Sequence, residues 1–206
     1  MTSKEAFLKA LTGRMGTDIV DKLQKSTIGI AGLGGLGSNI ALMLARSGVG
    51  KLVIADFDTV EISNIHRQDY PLSAVGMKKT DAVIQEIGCV NPWCTVEKHD
   101  VKLNQNNASL FSGCDIVCEA LDDAEQKIML IESLSSMGRT IVSGNGMAGM
   151  DSANSIITRK AGDRLYICGD GESDVKEKGS LSASRVAVCA AHQANAVVRL
   201  LLGMEP

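Results

Sequence analysis

The sequence lacks paired cysteines and long apolar runs. Six cysteines are present, but no two are spaced as C-x-x-C, the arrangement that usually supplies a structural zinc site. No stretch approaches the ~18 consecutive apolar residues of a membrane-spanning helix. We therefore expect neither zinc nor a membrane span, and we interpret Cys114 and Cys118 as small hydrophobic residues of the core.

An excess of positive charge is also missing. The 206 residues include 21 Lys and Arg against 24 Asp and Glu, which gives a formal net charge of −3 and a pI of about 5.6. Nucleic-acid-binding domains that rely on overall charge have the opposite balance, so we do not expect nucleic acid as a partner. The first 14 residues carry charges where an export signal has its apolar core. We expect a cytoplasmic protein with reduced thiols.

Histidines are few. His66, His99 and His192 are scattered along the chain, and they form no Ser-His-Asp or Cys-His set with their neighbours. We expect His192, in an alanine-rich helix, to be packed or capped. The sequence therefore gives no support to a hydrolase with an activated nucleophile.

Strand and helix patterns alternate along most of the chain, which predicts an α/β, Rossmann-like, doubly wound and mostly parallel sheet with helices on both faces. Core strands are predicted over 26–32, 51–56, 95–101, 114–120 and 139–144, and helices over 41–49, 74–87 and 124–138. We expect one domain over 1–206. Its parts are N-terminal helices (1–25), a core of alternating strands and helices (26–145) and a C-terminal region (146–206) with antiparallel strands, a mobile loop (169–182) and a long final helix.

A glycine-rich turn follows the first predicted strand. Gly32, Gly34 and Gly37 form G-x-G-x-x-G at the start of a helix, where glycine permits a tight turn and close approach of phosphate to backbone N–H groups. Asp56 lies 24 residues after Gly32, at the end of the next strand, where a carboxylate can hold ribose hydroxyls. These residues predict a site for adenosine and phosphates, and an NAD-dependent oxidoreductase fits them as well.

Basic residues follow the second predicted strand. Asn64 and Arg67 lie beyond Asp56, and Lys78 and Lys79 lie near the start of the next predicted helix. Cations of this kind compensate the charge on a departing pyrophosphate, whereas a redox cofactor has no leaving group. Each basic residue alone is expected to be a solvated surface charge. Together, beside a glycine turn, they favour nucleotidyl transfer over hydride transfer.

Two adjacent carboxylates follow the strand CDIVCE. Asp122 and Asp123 fall at the carboxyl edge of the predicted sheet, where ligands bind in open α/β folds. A carboxylate near phosphates is a natural Mg²⁺ ligand, which we assign to Asp122. Asp123 suits the N-cap of the helix that begins at Ala124.

Four motifs in combination are specific: GLGGLG (32–37), GVGKLVIADFDTVEISNIHRQ (48–68), VGMKK (75–79) and DIVCEALDD (115–123). With them, the chain resembles the ubiquitin-activating superfamily in its bacterial form, the MoeB and ThiF adenylyltransferases. Its short length and the ending CAAHQANAVVRLLLG are most similar to compact ThiF-type proteins of thiamine biosynthesis. The resemblance implies ATP-dependent adenylation of the C-terminal glycine carboxylate of a small ubiquitin-like, ThiS-like sulfur carrier.

The resemblance also implies a set of site residues. Arg67, Lys79 and Asp122 would be catalytic, Asp122 through Mg²⁺, while Gly35 would lie against the α-phosphate. In the family an N-terminal arginine reaches the γ-phosphate across a homodimer, and Arg14 is the candidate here. The full nucleotide-binding set is Gly32, Gly34, Gly35, Gly37, Asp56, Asp58, Ser63, Asn64, Arg67, Lys79 and Arg14.

The implied partner is a small carrier protein with a flexible Gly-Gly tail. Its terminal carboxylate, with a pKa near ~3.5, is already ionised at neutral pH, so the reaction needs no general base. Longer family members carry two C-x-x-C pairs that are missing here, and Cys168 and Cys189 are the cysteines left open for covalent capture. A carboxylate on a modified tRNA nucleoside is an alternative acceptor. A non-catalytic scaffolding subunit is a further alternative.

Overall fold

A seven-stranded sheet forms the centre of the computed structural model, which describes residues 3–206. The strands are β1 (Thr27–Ala31), β2 (Lys51–Ala55), β3 (Thr95–His99), β4 (Ile116–Glu119), β5 (Thr140–Gly144), β6 (Ile157–Lys160) and β7 (Leu165–Gly169). Their order is β3-β2-β1-β4-β5-β7-β6, and every neighbouring pair is parallel except β6 and β7. The predicted doubly wound sheet, with antiparallel strands only near its C-terminal end, is confirmed.

Helices cover both faces of the sheet. They are α1 (Lys4–Met15), α2 (Thr17–Lys25), α3 (Gly35–Arg46), α4 (Lys79–Val90), α5 (Ala124–Ser136), α6 (Val175–Lys178) and α7 (Ala183–Leu201), with short 3₁₀ turns at Ile62–Asn64, Leu72–Ala74, Ala108–Phe111 and Ala153–Ser155. Residues of α3, α4 and α7 share one core, and those of α5 share another. From β1 the chain continues through β2 to β3 on one side of the sheet, and later through β4 and β5 on the other side. Right-handed crossovers in these two directions place the connecting helices on opposite faces. None of the helices within residues 3–206 has the length and apolar content of a membrane span.

The central strands are buried on both faces, as parallel strands between two helical layers must be. Side chains of a strand point alternately to the two faces. In β2, Ile54 packs in the core shared by α3 and α7, while Val53 packs in the core shared with α5. Because β1, β2, β4 and β5 are parallel neighbours, their carboxyl ends lie side by side at one edge of the sheet. We call this edge the carboxyl edge.

The helix predicted over 74–87 begins later than expected. Its first residue, Ala74, ends the 3₁₀ turn Leu72–Ala74, and α4 starts only at Lys79. Gly76 has a φ of 92°, a left-handed conformation that interrupts any right-handed helix. The apolar spacing could not reveal this break, and its consequence is that Lys79 stands at a helix start.

The segment 169–182, expected to be an irregular mobile loop, contains helix α6. Gly149 donates its N–H to the carbonyl of Ser180 at 2.9 Å, and Ala148 donates to Ser173 Oγ at 3.0 Å. These bonds tie the segment to the residues that follow β5. Its mobility stays a prediction.

Candidate active site

The glycine turn joins β1 to α3 at the carboxyl edge. Gly32 has a φ of 91°, and a Cβ there would lie 2.8 Å from the carbonyl oxygen of Ala120; a Cβ on Gly37 would fall on the carbonyl oxygen of Gly32. Side chains are therefore excluded at both positions. Gly34 is the N-cap of α3, and no side chain caps it. The first N–H groups of α3 and the positive end of its dipole are left available for an anion.

Asp56 connects this turn to the loop after β2. It is buried, and its carboxylate oxygens accept the N–H groups of Leu33 at 2.6 Å and of Asp58 at 2.8 Å. A carboxylate has about four acceptor positions, so two of them are still open for ribose hydroxyls. The structure places Asp56 at the end of β2, beside the glycine turn, as predicted.

Residues 67–70, which we call the strap, lie along the glycine turn. The hydroxyl of Tyr70 donates to the carbonyl of Leu33 at 2.8 Å. At the other end of the strap, Arg67 Cγ lies 3.6 Å from the position of a Cβ on Gly35. The structure therefore brings a guanidinium-bearing residue against the glycine that begins α3, although 32 positions separate them in the chain.

Ser63 and Asn64 precede the strap, and they form hydrogen bonds with Glu61 and Arg67. Arg67 Nη1 donates to the carbonyl of Ser63 at 3.3 Å. Asn64 Oδ1 accepts the N–H of Glu61 at 3.3 Å, and Ser63 Oγ donates to Glu61 Oε2 at 3.1 Å. These three predicted phosphate contacts are thus adjacent, and they are only partly buried or exposed, so their polar atoms can exchange these bonds for bonds to a ligand.

The two neighbouring lysines have different environments. Lys79 is almost fully buried, with 7% of its side chain exposed, and its Nζ lies 2.7 Å from Asp58 Oδ2. Its N–H also donates to the carbonyl of Asp58 at 3.0 Å. Lys78 is exposed, and its Nζ donates to the carbonyl of Phe57 at 2.8 Å. Only Lys79 is held as a buried cation with a carboxylate partner, which is the normal condition for burying a charge.

The loop after β4 carries both predicted carboxylates. Asp123 Oδ1 accepts the N–H of Gln126 at 2.9 Å and is the N-cap of α5, which confirms that prediction. Asp122 is exposed, and its loop touches the glycine turn through Ala120. Within residues 3–206, no group of three or more His, Cys, Asp or Glu side chains could hold a metal. Mg²⁺ needs only one or two carboxylates when phosphates supply the other ligands, so Asp122 fits as a single protein ligand.

Sequence reasoning missed Glu119, the last residue of β4. Its side chain is fully buried, and Lys127 Nζ lies 2.8 Å from Oε2. Glu119 also accepts the N–H of Leu121 at 2.7 Å and the hydroxyl of Ser143 at 2.6 Å. This cluster fixes the loop that leads to Asp122. The available signal was a charged residue at the end of an apolar strand, with a lysine in the first turn of the following helix.

A family model described as the ThiF family matches residues 8–206. The chain belongs to the ThiF family. It is 34% identical over 128 residues to "Adenylyltransferase and sulfurtransferase UBA4" of Eremothecium gossypii, a match covering 61% of this chain and 29% of that protein. It is 31% identical over 142 residues to "Ubiquitin-like modifier-activating enzyme 5" of Oryza sativa subsp. japonica, covering 62% and 34%. The chain spans about a third of the length of these curated relatives.

The fold of this ThiF-family chain is also found in a solved structure of similar size. Escherichia coli TcdA, a tRNA N6-threonylcarbamoyladenosine dehydratase crystallised with AMP, superposes with a TM-score of 0.87. The match covers 98% of both chains at 20% identity. This likeness extends the shared fold to the C-terminal region, where the sequence motifs end.

Arg14 of this ThiF-family chain lies away from the chain's own glycine turn. Helix α1 packs at the amino-terminal edge of the sheet, where the rings of Phe7 and Trp93 are 5.4 Å apart. Leu11 Cδ1 would lie 2.7 Å from a Cβ on Gly48, which precedes β2. Arg14 is exposed near the end of α1. The structure therefore does not bring Arg14 together with the other predicted site residues of the same chain.

The two cysteines left open for covalent capture are both buried. Burial raises the pKa of the Cys168 thiol to about 11 and that of Cys189 to about 12. Cys189 Sγ donates to the carbonyl of Cys168 at 3.3 Å. Since a thiolate is the reactive form, neither thiol is an accessible nucleophile at neutral pH in this conformation of the ThiF-family chain.

Proposed function

We propose that this chain is an ATP-dependent adenylyltransferase that activates the C-terminal glycine carboxylate of a small ubiquitin-like, ThiS-like sulfur carrier and releases pyrophosphate. The observation that carries the proposal is the contact of Arg67 with the glycine turn at Gly35. The atom in contact is Cγ, and the guanidinium donates to the carbonyl of Ser63 in this structure. This position supports a role for the permanent cation beside an anion bound at the start of α3. We further propose that the reaction takes place in the cytoplasm and serves thiamine biosynthesis.

The proposed nucleotide is ATP. The glycine turn would hold its phosphates and Asp56 its ribose, while Asn64, Arg67 and Lys79 would contact the triphosphate. TcdA, which has the same fold, has been crystallised with AMP and with ATP. Asp122 would hold Mg²⁺, which would neutralise charge on the departing pyrophosphate. Nothing in this arrangement offers a reason to prefer a hydride donor.

The chemistry needs positioning and charge compensation more than proton transfer. An oxygen of the carrier's terminal carboxylate attacks the α-phosphorus, and the bond from that phosphorus to the bridging oxygen of pyrophosphate breaks. The attacking carboxylate is ionised at neutral pH, so no base is required. Arg67 and Lys79 would stabilise the negative charge that accumulates on the leaving group.

The proposed protein partner is a small carrier with a Gly-Gly tail. The names of the two relatives describe an adenylyltransferase and sulfurtransferase and an activator of a ubiquitin-like modifier, which supports a small-protein acceptor. We also propose a homodimer in which Arg14 of the partner subunit completes each site. Because α1 lies at the opposite edge of the sheet, Arg14 could contact a nucleotide at the glycine turn only in the site of another subunit.

A second candidate keeps the adenylation and changes the acceptor. TcdA acts on a tRNA nucleoside according to its name, and it has the same fold over 98% of both chains. A carboxylate on a modified tRNA nucleoside is therefore the alternative acceptor. The net charge of −3 favours the protein carrier over tRNA.

Mass spectrometry of the carrier tests the proposal directly. A purified carrier ending in Gly-Gly, incubated with this chain and ATP·Mg²⁺, should gain one AMP at its tail. A carrier truncated by its two terminal glycines is the control and should remain unmodified. Pyrophosphate release that depends on modified tRNA, with no change of the intact carrier, would establish the second candidate instead.

A further inference from the structure

Tyr70, the last residue of the strap, is a buried phenol that the proposed chemistry does not use. The residue is 5% exposed, and its hydroxyl donates to the carbonyl of Leu33 at 2.8 Å. Burial, followed by the charges of Asp56 and Asp69, raises the pKa of Tyr70 above its ordinary value. The phenol therefore stays protonated at neutral pH and remains a hydrogen-bond donor to the glycine turn.

Leu33 lies between Gly32 and Gly34 in the glycine turn, and side chains from outside the turn hold both of its backbone groups. Its N–H donates to Asp56 Oδ2 at 2.6 Å, and its carbonyl accepts the hydroxyl of Tyr70. A trans peptide group is planar, so its C=O and its N–H point in opposite directions. Because Tyr70 holds the carbonyl of Leu33 on one side, the N–H of Gly34, which belongs to the same peptide group, points to the other side.

The N–H of Gly34 is available to a ligand. It has no hydrogen-bond acceptor among residues 3–206. Gly34 is partly exposed, and a Cβ built on it would have a single atom within 4 Å, Gln68 Nε2 at 3.9 Å. The backbone donor therefore lies beside open space rather than against packed protein.

Sterics alone do not fix this orientation of the peptide group. Gly34 has a φ of −74°, but glycine adopts positive φ values about as readily as negative ones. The reversed peptide group is thus accessible to the chain, and it would present the carbonyl oxygen of Leu33, in place of the N–H of Gly34, to the open space. An oxygen in that position would repel a phosphate. The hydrogen bond from Tyr70 stabilises the orientation that a phosphate requires.

We propose that Tyr70 is a positioning residue for nucleotide binding, which holds the carbonyl of Leu33 so that the N–H of Gly34 is directed to the α-phosphate. This inference rests on the proposed function, since it requires a nucleotide at the glycine turn. Tyr70 contacts no atom of the ligand. Its effect passes through the Leu33–Gly34 peptide group, so only ligands that carry a phosphate should be sensitive to it.

Tyr70→Phe tests the inference because it removes the hydroxyl and keeps the ring. AMP and ATP share the α-phosphate, so calorimetric Kd values for AMP and for ATP·Mg²⁺ should both rise about tenfold, as expected for one hydrogen bond to a charged group. The Kd of adenosine, measured by NMR titration, should stay unchanged because adenosine has no phosphate. A residue needed only for packing would weaken the binding of all three ligands.

Tyr166→Phe is the matched control. Tyr166 is also 5% exposed, but it lies near the amino end of β7, and its hydroxyl donates to Glu205 Oε2 at 3.3 Å. This variant loses a buried phenol hydroxyl without affecting the glycine turn. It should leave all three Kd values unchanged.

The unchanged chain offers a second test, which does not depend on the folding of a variant. In isotope-labelled protein, the NMR signal of the Gly34 amide proton should move downfield at saturating AMP, because a hydrogen bond to a charged oxygen is short and strong. Adenosine should not produce this shift.

Four results would overturn the inference. They are wild-type affinity of Tyr70→Phe for both nucleotides, a loss of affinity confined to ATP, an equal loss of affinity for adenosine, and an unmoved Gly34 amide signal at saturating AMP. If the unchanged chain binds neither nucleotide, the proposed function fails together with the inference. If it binds both and Tyr70→Phe binds them equally well, only the inference fails.

Discussion

At the scale of single residues, adjacent side chains in this protein have opposite roles. Lys78 lies in solvent, whereas Lys79 is buried against Asp58 at a helix start. Arg67 and His66 both contact the carbonyl of Ser63, but only Arg67 also packs its Cγ against the glycine turn, and His66 is exposed. Charge and spacing alone do not separate the members of either pair. Burial and contact do, and they decide which substitutions should affect chemistry.

Arg67→Ala should lower the rate of ATP–pyrophosphate exchange by about 10³-fold, because an arginine that stabilises a phosphoryl-transfer transition state contributes on that order. Asp122→Ala should abolish the Mg²⁺-dependent reaction in the same assay. Circular dichroism should show an intact fold for both variants. Lys78→Ala is the control and should stay within about twofold of the unchanged protein. Exchange at the wild-type rate by Arg67→Ala would remove this arginine from the mechanism.

Glu119→Ala should destabilise the protein by about 3–5 kcal/mol, because it leaves the partly buried ammonium of Lys127 without its carboxylate. Replacing both partners with apolar residues, as in Glu119→Leu with Lys127→Met, should recover much of this loss. Urea unfolding monitored by circular dichroism gives the free energies. Equal destabilisation by the single and the double variant would mean that the hydrogen bonds to Leu121 and Ser143, rather than the ion pair, matter most.

At the scale of elements, Arg185 links the start of α7 to two loops at the carboxyl edge. It is buried, and it donates to Asp170 Oδ2 at 2.5 Å and to the carbonyl of Ser152 at 2.6 Å. The next residue, Val186, would be 2.9 Å from a Cβ on Gly35. The anchoring of the segment 169–182 is thereby connected to the packing of α7 on the glycine turn.

Asp170→Asn should release this segment. Burial alone would raise the pKa of Asp170, but hydrogen bonds from Ser173 and Glu172, together with Arg185, hold the pKa below its ordinary value. The stabilisation from this carboxylate is therefore present above about pH 4, the unfolded value, and is lost as the pH falls through the native value. At pH 7 the variant should be cleaved faster within 169–182 by a protease. When stability is measured against pH, the difference in stability between the variant and the unchanged protein should vanish at acidic pH, where Asp170 is protonated. A difference in stability that persists there would contradict the electrostatic explanation.

The element pattern was largely predictable because apolar periodicity and glycine position are local signals. The alternation of strands and helices, the turn at Gly32 and the cap at Asp123 all follow from such signals. The late start of α4 depended on the backbone conformation of Gly76, which apolar spacing does not encode. The buried pair of Glu119 with Lys127, the partner of Arg185 and the hydrogen bond of Tyr70 to Leu33 required tertiary contacts, so sequence patterns could not predict them.

At the scale of the whole molecule, the protein has its proposed catalytic residues at one edge of the sheet and Arg14 near the other. A site that needs both must draw on two copies of the chain, and cyclic dimers make such an exchange reciprocal. The homodimer is thus a requirement of the proposed role of Arg14, and it can be tested through activity.

Mixing two inactive variants should restore activity. Arg14→Ala and Arg67→Ala homodimers should each be inactive in carrier adenylation. After subunit exchange in a 1:1 mixture, about one quarter of wild-type activity should return, since half of randomly paired dimers are mixed and each has one complete site. Mixing Arg67→Ala with Asp122→Ala is the control and should restore nothing, because both residues belong to the same chain's site. Absence of recovery in the first mixture would show that Arg14 does not act between subunits.

The polypeptide around the glycine turn is already held by its own bonds, through Asp56 to Leu33 and through Tyr70 to the carbonyl of Leu33. A nucleotide that enters such a rigid cradle has little chain to order, so its association should proceed without a slow refolding phase and with only a small change in heat capacity. The loops that would face an acceptor could then vary while the proposed nucleotide cradle stays unchanged, so that one scaffold would suit acceptors of different shape.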